Sequence, residues 1–267
     1  MCWCIAGTFD VAGFVKERGW WHRIWLGNPS TPEAYMFPHW NWQSIGAALE
    51  PHLAKCAGLC VSTSPGRPPN VTVFVLASTG SVELFLNNAS LGRQTIKFGA
   101  WTTWRVPYAP GRLVAHAFSN SSSGQGKPTA TVTVATTGPP AALRASFDGS
   151  EGASGIVAGG TGVALVRIEV VDSQGRVVPT AADDVTFSCA SGPCAVVGTA
   201  NGDPSSHTPD RSARRNAFRG LVLAVVQSTS DGRHGPATIA ASAPGLGTST
   251  IVVEVIPQSA SAMLMRL

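Results

Sequence analysis

Residues 71–92 read VTVFVLASTGSVELFLNNASLG, and this stretch decides the fold class. VTVFVLA is rich in β-branched residues, and VELFLN alternates so that Val82, Leu84 and Leu86 share one face. Asn87 and Asn88 follow, and Asn tolerates the left-handed backbone of a tight turn better than most residues. The stretch therefore predicts antiparallel strands joined by short turns.

The same pattern continues toward residue 137. TTWRVPY at 102–108 and RLVAHAF at 112–118 flank Ala109-Pro110-Gly111, where Pro before Gly fits a type II turn. TATVTVAT at 129–136 supplies another strand. These segments predict a first antiparallel sandwich over residues 37–137. We interpret the Pro- and Gly-containing stretch 44–70 as an insertion.

A second sandwich is predicted over residues 138–257, after the linker Gly138-Pro139-Pro140. The next residues repeat short apolar strands separated by turn signals, which is an immunoglobulin-like pattern. The strand candidates are AALRASF, VALVRIEVVDSQGRVVP with a turn at 173–175, VTFSC, AVVGTA, FRGLVLAVVQS, ATIAAS and STIVVEVI. Residues 258–267 are expected to form a loose tail.

Residues 1–36 have a different composition, and all eight Trp residues of the chain lie before Val106. FVKERGWWHRIWL at 14–26 predicts a helix with Trp21, Ile24 and Trp25 along one side, ended by Asn28-Pro29. A helix this apolar needs a partner surface in water. We find no sequence elsewhere in the chain that supplies one.

Charge and composition exclude several partners. Charged residues make up 13% of the chain, the net charge is +4, and Arg214 and Arg215 form the only adjacent basic pair, which is too sparse for a nucleic-acid protein. No apolar run approaches the roughly 20 residues of a membrane span, and we expect no signal peptide. Three sequons, at Asn70, Asn88 and Asn120, favour a secreted protein, but the sequence leaves the compartment unknown.

The six cysteines do not form a paired CxxC set, so we expect neither a zinc site nor another cofactor. Cys189 and Cys194 bracket the tetrapeptide ASGP, and a turn there would bring them within disulfide range. Two reduced thiols are an equally good interpretation of the spacing.

Several segments resemble, in order, the C-terminal region of glycoside hydrolase family 2 enzymes of the β-galactosidase type. The turn after the strand at 82–87 is usually Asn-Gly in that family, and here it is Asn87-Asn88. Residues 7–21 are similar to the family's last barrel loop and helix, where an Asp-Leu-Ala-Gly-Phe-x-Lys pattern is common. The resembling segments are GTFDVAGFVKERGWW at 7–21, PHWNW at 38–42, VELFLNNASLG at 82–92, WRVPYAPGRL at 104–113, VVDSQGRVVPTA at 171–182 and GTANGDPSSH at 198–207.

The resemblance implies an all-β chain of two immunoglobulin-like β-sandwich domains. A remnant of a (β/α)8 barrel at residues 1–36 precedes them. The intact enzyme would hydrolyse O-glycosyl bonds of a carbohydrate substrate, and the missing catalytic barrel would be the partner of this chain. The family's two catalytic Glu residues lie upstream of residue 7, and none of the seven Glu residues here has a matching context. We therefore assign no catalytic residue.

The alternative function is a non-enzymatic carbohydrate-binding or adhesion module of tandem immunoglobulin-like domains. Residues 139–256 alone would fit that function nearly as well. The first 42 residues separate the two hypotheses, because an adhesin has no reason to keep GTFDVAGFVKERGWW or PHWNW.

The sugar-contact hypothesis falls on His39, Trp40, Asn41 and Trp42, since aromatic rings stack on pyranose faces and Asn both donates and accepts hydrogen bonds. The competing interpretation is a junction at which the Trp side chains seal the barrel against the first sandwich. Residues 201–204, Asn-Gly-Asp-Pro, are interpreted as a turn with Asx capping rather than a binding loop. Ser205, His207 and Asp210 are not expected to form a catalytic triad.

Overall fold

In the residues that the computed structural model describes, there is one helix, and nearly all the other regular structure is β-strand. Two compact units are present, one of Met1–Phe9 with Val15–Thr136 and one of Asp10–Phe14 with Thr137–Leu267. The described residues are 7–27, 32–42, 61–62 (backbone only), 69–119, 126–149 and 154–258. Most of the insertion predicted at 44–70, and the tail from residue 259, lie outside these residues.

The helix α1, Glu17–Leu26, begins three residues later than the sequence pattern predicts. Lys16 has extended backbone, and its amide donates to the Thr8 carbonyl at 2.9 Å. Phe9 and Val15 form an antiparallel bridge at the same place. The apolar periodicity extends into this segment, but the bridge prevents its residues from joining the helix.

The first unit packs two antiparallel sheets. The strands are β1 (Ala34–Phe37), β2 (Val61–Ser62), β3 (Asn70–Ala77), β4 (Ser81–Leu86), β5 (Ala89–Thr95), β6 (Thr102–Pro107), β7 (Arg112–Phe118) and β8 (Ala130–Ala135). In one sheet, β3 pairs with β1, β2 and β6; the other sheet has the order β5-β4-β7-β8.

Alternation along these strands builds the core of the first unit. Val82 and Leu84 are fully buried, as the period of two in β4 predicts. The turn after β4 has φ values of 49° at Asn87 and 69° at Asn88, so the left-handed conformation expected for Asn is present at both positions. The predicted strand-turn-strand unit is confirmed.

The helix α1 has a partner surface, so the prediction that the rest of the chain supplies none is wrong. Trp20 stacks on Tyr35 of β1 with 4.8 Å between ring centroids, and Trp25 meets Phe98 edge-on at 5.0 Å. Trp21 Nε1 donates to the Gly99 carbonyl at 2.9 Å. The surface consists of β1, which crosses the boundary we predict at 36/37, and of the loop between β5 and β6. Aromatic residues far apart in sequence combine there, which local patterns do not reveal.

The second unit also packs two sheets. Its strands are β9 (Ala142–Phe147), β10 (Ile156–Val157), β11 (Val163–Val171), β12 (Asp184–Ser191), β13 (Cys194–Ala200), β14 (Arg214–Asn216), β15 (Leu221–Ser228), β16 (Gly235–Ala243) and β17 (Gly247–Ile256). The sheets have the orders β10-β17-β16-β12-β14 and β13-β15-β11-β9, and all pairings are antiparallel except that of β10 with β17. Seven of these nine overlap predicted strands; the short β10 and β14 do not.

Asp172 organises the turn that follows β11. Its fully buried carboxylate accepts hydrogen bonds from the backbone amides of Gly138, Gln174 and Arg176, each at 2.9 Å, and from the Arg176 guanidinium. Burial alone would raise the pKa of Asp172, but these hydrogen bonds outweigh it and hold the pKa well below its ordinary value. One ionised side chain thus joins the linker at Gly138 to the turn.

The all-β character expected from the sequence is confirmed. The single helix in the described residues, α1, has ten residues, and no described helix meets the length and apolarity that a membrane crossing requires.

Candidate functional site

Trp40, in the segment that follows β1, is a core residue of the first unit. Its side chain is fully buried, and its Nε1 donates to the Ala109 carbonyl at 2.8 Å. Its ring centroid lies 5.1 Å from that of Tyr108. Its own carbonyl accepts a hydrogen bond from Thr136 Oγ1 at 2.8 Å. Each of these contacts ties the segment to another part of the same sandwich.

Trp42 is held in a tight local arrangement with His39. The two rings stack at 4.6 Å, and Trp42 Nε1 donates to the His39 carbonyl at 2.8 Å. The Asn41 amide donates to His39 Nδ1 at 3.2 Å. Trp42 is 4% exposed and belongs to the same core as Trp40, whereas His39 and Asn41 are half-buried.

The burial of the two indoles favours the packing interpretation of this cluster. Sugar stacking needs an indole face open to the ligand, but Trp40 and Trp42 lie inside the first sandwich. The arrangement favours a packing role for both indoles. It differs from the predicted junction in that they seal the sandwich itself.

Thr136 also holds the Trp40 segment in place, a role that the sequence did not reveal. Besides donating to Trp40, its hydroxyl accepts from the Gly111 amide at 3.1 Å. The turn containing Gly111 is also held by Asn87, whose Oδ1 accepts from the Arg112 amide at 2.8 Å and whose Nδ2 donates to the Pro110 carbonyl at 3.0 Å. The Asn pair and the Ala-Pro-Gly turn are visible in the sequence, but a lone Thr at the end of β8 gives no such signal.

The loop at 201–204 is organised by its own Asx side chains, as the sequence predicts. Asn201 Nδ2 donates to the Asn216 carbonyl at 2.8 Å, and Asn201 Oδ1 accepts from the Asp203 amide at 3.2 Å. Asp203 Oδ1 accepts from both the amide and the hydroxyl of Ser205, at 2.9 and 2.7 Å. The loop is a capped turn.

Arg215 fixes the next stretch of this loop from inside the second sandwich. It is 4% exposed, and its Nη2 donates to the carbonyls of Thr208 and Pro209 and to Asp210 Oδ1, at 3.0, 3.1 and 3.0 Å. Its neighbour Arg214 pairs with Asp184. The only basic pair of the chain is therefore engaged within the protein.

The Ser205, His207 and Asp210 set has no triad geometry in the described part of the chain. The Ser205 hydroxyl donates to Asp203, and the Asp210 carboxylate accepts from Arg215. Neither is hydrogen-bonded to His207 there, so the contacts that would activate a serine nucleophile are missing.

Cys189 and Cys194 form a disulfide in the structure, with Cα atoms 5.9 Å apart. Cys189 lies in β12 and Cys194 begins β13, so the bond joins the two sheets of the second unit where the chain passes between them. Gly192 lies in the intervening turn with φ of +86°.

Three further carboxyl groups of the described residues have a lowered pKa, which is the opposite of what a glycosidase acid needs. The Glu33 pKa is lowered by its hydrogen bond from Arg23, and that of Asp184 by its hydrogen bond from Arg214. Hydrogen bonds from Thr229 and Arg233 lower the pKa of Asp231 to about 2. A glycosidase general acid needs a raised pKa, whereas these groups are stabilised as anions. In the same residues no three His, Cys, Asp or Glu side chains converge on a metal position.

Family models match both sandwiches. Residues 143–252 match the glycoside hydrolase family 2 C-terminal domain 5, and residues 69–123 match a domain of unknown function (DUF4982). Of the segments that resemble the family, 171–182 and 198–207 lie in the region matched by the family 2 model, and 82–92 and 104–113 lie in the other matched region.

Relatives of known sequence and structure extend the similarity along the chain. The beta-galactosidase BoGH2A of Bacteroides ovatus is 28% identical over 249 residues, which is 92% of this chain and 25% of that protein. A beta-glucuronidase of Formosa agariphila is 29% identical over 85% of this chain and 20% of its own length. The crystal structure of a family 2 glycosyl hydrolase from Bacteroides cellulosilyticus DSM 14838 superposes with a TM-score of 0.71 at 26% identity, covering 94% of this chain and 32% of that one.

This chain spans about a quarter of the length of the curated relatives it matches. The matches run through both sandwiches, and each relative contains a large additional part. In sequence and in fold, the chain corresponds to the C-terminal region of glycoside hydrolase family 2 enzymes.

Proposed function

We propose that this chain is the non-catalytic C-terminal region of a β-galactosidase-like glycoside hydrolase. Residues 1–36, of which 34–36 belong to β1 of the first sandwich, would contain the last loop and helix of its (β/α)8 barrel, followed by two immunoglobulin-like sandwiches that brace it. The observation that carries the proposal is the similarity over 92% of this chain to 25% of a beta-galactosidase. The reaction of the intact enzyme would be hydrolysis of an O-glycosyl bond.

The carboxylates support a non-catalytic role. Retaining glycosidases use two carboxyl groups roughly 5–5.5 Å apart, one as nucleophile and one as acid and base. Here Glu83 pairs with Arg93 at 3.3 Å, Glu169 with Arg144 at 2.5 Å and Glu33 with Arg23 at 2.6 Å. The first two pairs lie on strands of the sandwiches, and the third joins α1 to the residues just before β1. Such pairs suit surface packing.

The cluster at His39–Trp42 then has a structural role in this proposal. Trp40 and Trp42 complete the core of the first sandwich directly after β1. Of the four residues assigned to sugar contact, His39 and Asn41 keep partial exposure, so any contact with a carbohydrate in the intact enzyme would fall on these two.

A turnover assay on the purified chain tests the proposal. We expect no hydrolysis of p-nitrophenyl β-galactoside or p-nitrophenyl β-glucuronide, while the full-length Bacteroides ovatus relative serves as the positive control for the galactoside. Turnover that co-elutes with the chain through successive columns would refute a non-catalytic role. Tight binding of a glycan without turnover would instead favour the carbohydrate-binding or adhesion module.

A further inference from the structure

The segment Asp10–Phe14 forms a self-contained loop within the second unit. Asp10 Oδ1 accepts from the amides of Ala12 and Phe14 at 2.9 and 3.0 Å, and the Asp10 amide donates to the Phe14 carbonyl at 2.9 Å. Gly13 has φ of +88°, a conformation that side chains disfavour. The sequence DVAGF therefore closes a short loop, with Asp10 as its organising side chain.

This loop packs on a surface of the second sandwich. Phe14 and Ala12 are 7% and 9% exposed, and they form an apolar cluster with Leu223 of β15. Ala200 and Leu221 pack against the same cluster. On β15, Val222 and Ala224 point into the main core, so Leu223 faces outward. The loop thus covers the outer face of the sheet β13-β15-β11-β9.

Arg167 of β11 also lies close to the Phe14 ring. Its guanidinium carbon lies 5.3 Å from the ring centroid, within the range of a cation–π contact. Asp148 pairs with the same guanidinium. The register places Arg167 opposite Leu223, so the two residues that hold Phe14 are cross-strand neighbours.

Gly202 makes room for the Asp10 carboxylate. A Cβ at position 202 would overlap Asp10 Oδ2, although the Gly202 backbone is not in the left-handed region that favours glycine. The close approach, rather than the backbone conformation, therefore requires glycine here. The turn at 201–204 supplies this wall of the surface.

We infer that Arg167, Ala200, Gly202, Leu221 and Leu223 form a socket for the Asp10–Phe14 loop, by which the second sandwich holds the last βα loop of the catalytic barrel. The identity of the loop rests on the proposed function, whereas the socket does not. Loops that follow barrel strands lie at the catalytic end of a (β/α)8 barrel. The second sandwich would therefore hold a loop on the active-site side of the enzyme.

Hydrogen exchange on the full chain tests the socket. The amides of Ala12 and Phe14 are expected to be protected in the wild-type protein. Phe14→Ala, which empties the socket, and Gly202→Ala, which displaces Asp10, should each speed their exchange by at least about tenfold. Val11→Ala is the matched control, because Val11 is 68% exposed in the same loop. Phe14→Leu keeps a large apolar side chain and should retain most of the wild-type protection of these two amides.

Strands β16 and β17 supply the internal reference, since their amides should keep wild-type protection in every variant. Free-chain exchange rates at residues 12 and 14 of the wild-type protein would overturn the inference. An effect of Val11→Ala as large as that of Phe14→Ala would also overturn it, as would an equal loss of protection across β16 and β17. If hydrogen exchange shows that the socket holds the loop, but the gene encodes no barrel upstream of this chain, the proposed function is refuted and the socket stands.

Discussion

The two sandwiches reach similar folds with different interiors. The first core is built around large aromatic side chains, among them Trp40, Trp42, Trp104 and Tyr108. Among buried residues, the second core has Phe187 as its one aromatic side chain and otherwise consists mainly of Val, Ala and Ile. Its loops are held by buried polar groups instead, Asp172 and Arg215.

This difference indicates where each unit is sensitive to mutation. A Trp whose Nε1 donates to a distant carbonyl provides both packing and a hydrogen bond. Truncating that one side chain therefore removes a large stabilising contribution at a single position. A core of small aliphatic residues distributes the same stabilisation over many positions. The second unit should therefore tolerate single core truncations better and depend more on the residues that fix its turns.

The largest effect is expected for Trp40→Ala, which should lower the free energy of unfolding of the first unit by about 4 kcal/mol. Urea unfolding followed by Trp fluorescence measures it, and since all eight Trp residues precede Val106, this signal reports on the first unit. Leu26→Ala is the control, because Leu26 is 69% exposed. Equal losses of unfolding free energy for the two variants would show that the stability of the first unit is not concentrated at Trp40.

Asp172→Ala should cost the second unit about 3 kcal/mol, because it leaves the amides of Gly138, Gln174 and Arg176 without their acceptor. Calorimetry measures the loss, and the fluorescence transition of the first unit should not move. Asp231→Ala, at a carboxylate 46% exposed, is the control and should change little. A loss below 1 kcal/mol for Asp172→Ala would show that the turn does not depend on this carboxylate.

The same carboxylate predicts a pH dependence. The pKa of Asp172 is depressed in the folded protein, so the unfolded state binds the proton more readily. Its contribution to stability is fully present above about pH 4, the ordinary pKa of Asp, and is lost as the pH falls below that value. The calorimetric midpoint of the second unit should thus stay nearly level above about pH 4 and fall steadily as the pH is lowered further, toward the depressed pKa of the folded state. In Asp172→Ala this fall should be smaller; an unchanged slope would assign the acid sensitivity to other carboxylates.

Cys194→Ser should have the smallest of these effects, about 2 kcal/mol, since the disulfide closes a loop with a sequence separation of only 5. Cys189→Ser should match it, because either change removes the same bond. Mass spectrometry with a thiol-alkylating reagent checks the bond directly: wild-type Cys189 and Cys194 should stay unmodified until a reductant is added. Modification without reductant would support the two-thiol interpretation of the sequence.

The sequence predicts local features of the fold well. Alternation in residues 82–86 fixes the burial of Val82 and Leu84, and the Asn pair fixes the turn that follows. These features depend on neighbours along the chain, and a pattern of period two encodes them directly.

Features that depend on distant partners are not predictable in this way. Phe14 fits the apolar period of α1, yet it belongs to the socket on β15, because Leu223 and Arg167 lie more than 150 residues away. Trp40 suits both sugar stacking and a sandwich core, and its burial and its contact with the Ala109 carbonyl favour the core. At these positions the residue type limits the possible structural roles, and the contacts made in the folded chain determine which role the residue has.

We propose that this chain is the C-terminal region of a larger glycoside hydrolase, and sequencing the genomic DNA upstream of the Met1 codon tests this most directly. We expect a continuous reading frame there that encodes a (β/α)8 barrel with two Glu motifs on its strands. Stop codons in the frame, or an upstream domain of another fold, would contradict it.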